Sequence, residues 1–227
     1  MSGSPIGSTP SAPAELPPPR FVLTTRVLRA AAPEADPRIW LPALQAAFDR
    51  WGLDSDRRVC AALGQFAVET GPGFRELREC LLYTHAERIL EVWPEHFRTL
   101  AQAAPYVDHP ELLASRVYSN EQGNGPESTT DGWVFRGGGL PQLTGREEYV
   151  PFAAAHDLTA EDAADWTSTP AGAAMAGAWY LHWRGCLPLA DSWMLTAITR
   201  LVNGRAMLGL HDRIRLSNAA LDAARAA

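Results

Sequence analysis

Apolar residues recur at helical spacing along most of this chain, and glycine or proline cuts each recurrence. The clearest case is segment 57–70, where Val59, Leu63, Phe66 and Ala67 trace one helical stripe. Asp56 stands where an N-cap belongs, and Gly71-Pro72-Gly73 stops the helix. A second stripe runs through Trp40, Leu44, Ala47, Phe48 and Trp51. Pro94 and Pro110 suit the first turns of two more helices. Further helices are predicted from Pro170 to Trp183, through Met194, Leu195, Ile198, Leu201 and Val202, and from near His211 to Ala227. Strand signal is confined to 133–135. The chain should therefore fold as a mainly α protein.

The end of the 57–70 helix also carries the first candidate for chemistry. Glu69 follows Phe66 by three positions, so it lies at the edge of the buried stripe in the last turn. Burial and the partial negative charge of a helix C-terminus both favour its protonated form. Glu79 follows beyond the glycine-broken turn, so a loop rather than helical geometry sets its distance from Glu69. Two carboxyl groups roughly 6.5–9.5 Å apart, with room for a water between them, are what an inverting glycosidase requires. From these residues alone the alternative stays open that Glu76 and Glu79 are solvated loop acids and Glu69 a surface residue at a helix end.

Five blocks of sequence bear on that choice. They are Gln65-Phe66-Ala67-Val68-Glu69-Thr70-Gly71-Pro72-Gly73-Phe74, Glu79-Cys80-Leu81-Leu82-Tyr83-Thr84, Asn120-Glu121-Gln122-Gly123-Asn124-Gly125, the run from Asp131-Gly132-Trp133 through Gly137-Gly138-Gly139-Leu140-Pro141-Gln142-Leu143-Thr144-Gly145 to Tyr149, and Val202-Asn203-Gly204. In that order they resemble glycoside hydrolase family 19, which includes chitinases and phage endolysins that cut peptidoglycan. The compact form is similar to the endolysin branch. The resemblance implies a two-lobed, lysozyme-like helical fold with a central substrate cleft, formed by residues 21–227 as one catalytic domain.

It also implies roles. Glu69 is then the general acid and Glu79 the base that activates water. Thr84 matches a residue that helps hold that water, while Gln142, Tyr149, Asn203 and Asn124 fall at positions of the sugar cleft. Local readings stand beside these. Thr84 with Glu87, and Thr144 with Glu147, have the spacing of capping boxes, and Tyr149 fits a core position equally well. The chain departs from the family pattern at Val68, where His is usual, at Cys80, where Asn is usual, and at Gly138, where Arg stands between the glycines; Pro141 replaces the usual Ile. The implied activity is cleavage of β-1,4 bonds in N-acetylhexosamine polymers, peptidoglycan ahead of chitin. A weakened, sugar-binding protein on the same fold is the alternative.

Composition excludes other classes. With 227 residues, 46% of them hydrophobic, the chain can bury a sizeable single core. A net charge of −6 argues against nucleic acid as partner. Residues 1–20, rich in Ser, Pro and Gly, read as a disordered leader without the apolar run of a signal peptide, and no membrane span follows. Cytoplasmic synthesis, release to the wall by lysis or dedicated export, and a monomer are expected. Cys60, Cys80 and Cys186 are odd in number and far apart, and the six histidines are scattered, so neither a disulfide framework nor a metal site is implied. No cofactor is expected. Gly137 to Gly139 lacks the context of a phosphate loop and suits a tight turn close to a sugar.

Overall fold

The computed structural model describes residues 20–226. Among them the backbone forms thirteen α-helices and two short 3₁₀ turns, and its only β pairing is two isolated bridges, Arg78 to Gly138 and Gly138 to Leu143. The predicted leader lies outside the described residues apart from Arg20, which is exposed within 3.9 Å of Asp49.

The larger lobe is built on α3 (Asp56–Thr70), whose residues Val59 to Ala67 are all buried. Around it pack α1 (Thr25–Ala31), α10 (Pro170–Trp183), α11 (Cys186–Asp191), α12 (Leu195–Asn203) and α13 (Leu210–Arg225), with α2 (Pro37–Trp51) laid against α10. Leu44, Phe48, Leu63 and Phe66 form the centre of this core. A neighbouring core of Phe135, Tyr149, Phe152 and Trp179 is closed by α8 (Arg146–Ala154), α9 (Ala160–Trp166) and α10. The smaller lobe holds α4 (Ala86–Val92), α5 (Leu100–Ala103) and α6 (Pro110–Val117) around Leu81, Ile89, Phe97 and Leu113. The result is the expected mainly α, lysozyme-like fold.

Several local expectations are corrected. The N-cap of α3 is Ser55, whose hydroxyl accepts from the Arg58 amide at 3.3 Å; Asp56 is the first helical residue, where its charge still suits the helix N-terminus. Residues 133–135 form no strand, because Asp131–Val134 closes a helical turn, α7, with the Phe135 amide donating to the Asp131 carbonyl at 2.8 Å. Their aromatic, β-branched character reflects burial, which serves a short helix as well as a strand. Pro94 sits in a turn, and Thr99 caps α5 instead. Helix α13 begins at Leu210 and ends at Arg225, short of the position expected.

Candidate active site

Glu69 is positioned by how closely α13 approaches α3. A Cβ on Gly64 would fall 2.0 Å from the Ser217 hydroxyl and 2.8 Å from the Arg213 carbonyl, so only glycine admits that contact. The approach brings the Arg213 side chain, 2% exposed, against the last two turns of α3. Its guanidinium donates to Glu69 Oε1 at 2.6 Å, to Gln65 Oε1 at 2.9 Å and to the Leu208 carbonyl at 3.0 Å. Glu69 keeps 16% exposure, and among the described residues its Oε2 takes no hydrogen bond. The acid is thus not surrounded by apolar groups and a helix end alone. A buried cation faces it.

Asn203, at the end of α12, reaches the same network. Its Oδ1 accepts from the Leu208 amide at 2.5 Å, which holds the loop whose carbonyl binds Arg213. Gln65, fully buried, bridges Arg213 to the Thr199 hydroxyl at 3.2 Å.

Beyond Gly71 the chain turns back on the helix end, with the Arg75 and Glu76 amides donating to the Thr70 carbonyl. Residues 77–79 then run extended against 137–139, the Gly139 amide donating to the Leu77 carbonyl and the Glu79 amide to the Gly137 carbonyl, both at 2.9 Å. Side chains on extended backbone alternate. Arg78 enters the larger lobe, donating to the Tyr149 hydroxyl at 3.0 Å and the Val134 carbonyl at 2.8 Å. Glu79 turns the other way, to Tyr118 at the end of α6 in the smaller lobe. The Tyr118 hydroxyl meets both Glu79 oxygens at 2.8 and 2.9 Å, and the Gly137 amide donates at 3.3 Å. Burial, then the Glu79 charge, push the Tyr118 phenol far above its usual pKa, so it stays a donor across the working pH range. Glu79 therefore stands at the junction of the lobes, its two oxygens held by a phenol from one lobe and an amide from the other.

The structure also explains Gly138. A Cβ there would fall 2.1 Å from the Tyr149 hydroxyl, 2.7 Å from that of Thr167 and 2.9 Å from Arg78 Nη1. There is no room for a side chain, and the guanidinium of Arg78 already occupies that side of the turn.

The remaining predicted residues are placed differently from one another. Gln142 holds a φ of 57° and donates from Nε2 to the Glu76 and Gly139 carbonyls at 2.9 and 3.0 Å, which fastens the Glu79 loop to the glycine turn. Tyr149 is fully buried, so it supports that turn from behind and touches no open surface. Asn124, 7% exposed, donates to the Tyr118 carbonyl and accepts from the Arg146 amide, both at 3.1 Å. Thr84 is exposed and pairs with His85 Nδ1 at 2.8 Å; His85, not Thr84, is the cap position of α4, and no capping box forms. The second expected box is shifted as well, since Glu148, not Glu147, accepts from the Thr144 amide, at 3.0 Å. Cys80 is an exposed thiol, while burial pushes Cys60 up to about 12 and Cys186 up to about 11. No cluster of His, Cys, Asp or Glu among the described residues could hold a metal ion.

No protein-family model matches the chain. A protein of Haemophilus influenzae described as a glycosyl hydrolase family 19 domain-containing protein is 32% identical over 179 residues, 78% of this chain and 85% of the relative. The chain belongs to glycosyl hydrolase family 19. Sequence reading missed Tyr118, Arg78 and Arg213, whose side chains contact Glu79, the glycine turn and Glu69. Only Gln65 gave a sign, as an amide inside an apolar helical stripe whose burial demands a polar partner.

Proposed function

We propose that the protein is an inverting glycosidase that cleaves β-1,4 bonds of N-acetylhexosamine polymers, bacterial peptidoglycan first and chitin second. The observation that carries this reading is the unlike treatment of two carboxylates. Glu69 has one oxygen against Arg213 and the other unbound, whereas both Glu79 oxygens accept from Tyr118 across the lobe junction. With glycan bound, Glu69 takes up a proton and donates it to the leaving glycosidic oxygen. Arg213, 2.6 Å from Oε1, then faces the carboxylate this leaves and stabilises its charge. Glu79 takes a proton from water attacking the opposite face of the sugar. Thr84 is a second holder for that water, and Gln142, Asn203 and Asn124 shape the cleft walls by fixing its loops. The free thiols support the peptidoglycan branch over secreted, disulfide-bonded chitinases. Val68 and Cys80, which place no hydrogen-bonding amide or imidazole beside the acids, are what favours the weakened, sugar-binding alternative.

A turbidity assay on outer-membrane-permeabilised bacteria, run beside a soluble chitin oligomer, separates the readings. Lysis is expected; binding without cleavage of either would establish the alternative. Proton NMR of freshly released fragments, read before mutarotation, should show the α anomer first. A β product at the first time point would sink the inverting assignment and the roles of both acids.

A further inference from the structure

A pocket of about 620 Å³, lined by neither carboxylate, opens where residues 156–158, just past the end of α8, meet α2, α9 and α10. Its floor is aromatic. Trp166 stacks on Phe152 at 5.9 Å with only 11° between the planes, and His156 meets the Trp166 edge at 5.3 Å and 67°. Trp166 remains half-buried, so its plane is fixed from within while part of it faces the pocket. The rim is polar and of both signs, with Arg50 opposite Asp157 and Asp162. Asp157 keeps a left-handed φ of 57°, a conformation that non-glycine residues adopt sparingly.

Two buried polar atoms of the rings beside this floor have no hydrogen-bond partner among the described residues. His156 Nδ1 lies 2.8 Å from the Phe152 carbonyl, which only accepts, so that nitrogen carries the proton and Nε2 is left as a bare acceptor. Burial holds the ring neutral by lowering its pKa. Trp51 Nε1, an unpaired donor, belongs to a ring 5.5 Å from that of His156. Buried polar atoms are normally satisfied. A fixed indole plane and a rim without one dominant sign suit an uncharged polyol better than an ion. The apolar face of a sugar ring would lie on Trp166 while its hydroxyl and amide groups meet the rim.

We propose that this pocket is a second glycan subsite, which grips a sugar of the same N-acetylhexosamine polymer at a distance from the bond being cut. The proposal rests on the glycosidase reading for its ligand. Two grips on one long strand raise retention on insoluble polymer without any change at the cleft, because the second contact is intramolecular. A short soluble fragment cannot use both.

The test is cosedimentation of the full chain with purified peptidoglycan sacculi and with chitin, in a Glu79→Gln background so that the polymer survives, beside turnover of short soluble fragments in the otherwise native protein. Trp166→Ala should weaken cosedimentation about five- to tenfold, the scale of one lost aromatic contact. Trp166→Phe should stay within about twofold of the parent, and soluble turnover should be unchanged within about twofold in both. If Trp166→Ala fails to fold, Arg50→Ala on the exposed rim should still weaken cosedimentation at least about twofold. Undiminished cosedimentation in the folded variants, or a parallel loss on soluble fragments, overturns the subsite. Trp166-dependent sedimentation by a protein that cuts nothing supports the subsite and overturns the glycosidase reading, whereas cleavage with Trp166-independent sedimentation overturns the subsite alone.

Discussion

Replacing Arg213 by methionine keeps most of the apolar stem and removes the guanidinium from a site where it is 2% exposed. Hydrogen bonds to Glu69, Gln65 and the Leu208 carbonyl go with it. Gln65 retains Thr199, so the larger loss is at Glu69, whose charge is left 16% exposed with no counterion. Removing one partner of a buried pair costs about 3–5 kcal/mol, and the residual exposure of Glu69 places this case near about 3 kcal/mol. In a chain of this size each kcal/mol moves Tm by about 2–4 °C, so Arg213→Met should melt about 6–12 °C below the parent. Circular dichroism melts at neutral pH and low salt measure it. Adding Glu69→Gln to Arg213→Met should recover part of the loss, because the stranded charge is gone. A variant melting within about 2 °C of the parent, or a double variant as unstable as the sum of the singles, would refute the view that this pair is buried and coupled.

Glu79→Gln should melt within a few degrees of the parent, since its loop position carries no core packing, yet lose turnover on the order of 10²-fold or more; near-normal turnover would remove Glu79 from the mechanism. Tyr118→Phe keeps the edge contact with Trp93 at 5.8 Å but strips the donor from both Glu79 oxygens. Turnover should fall about tenfold, because Glu79 loses the donor that orients it; turnover within about twofold of the parent counts against this contact. Gly138→Ala forces a methyl within 2.1 Å of the Tyr149 hydroxyl, so it should destabilise by about 1–3 kcal/mol and lower activity; a parent-like melt would show that the turn yields freely.

The long amphipathic elements were legible because their signal repeats. Val59, Leu63 and Phe66 recur over several turns and Gly71 ends them, so α3, and with it Glu69 in the last turn, followed from periodicity alone. The errors fall where one hydrogen bond decides. Ser55 and Asp56 can both cap a helix, and only the conformation of the backbone there selects Ser55. Thr84 and Thr144 have capping-box spacing, but the caps are His85 and Gly145, one residue later, and the expected reciprocal bonds do not form. Spacing states which residues could meet. It does not state the φ and ψ that let them.

The surroundings of the two acids were illegible for a different reason. Glu69 meets its cation 144 positions away, and Glu79 its phenol 39 positions away, so no local window contains either pair. The same remoteness changes how a departure from a family motif is read. Glycine at 138 looks like the loss of a cation from the cleft wall. In the fold, the space a side chain at 138 would need is taken by Arg78, reaching across from the paired segment beside Glu79 and bound to Tyr149. The positive charge at this turn is supplied by its neighbour, and the glycine is what admits it. A missing motif residue therefore says little about a missing group until the space around its backbone is known.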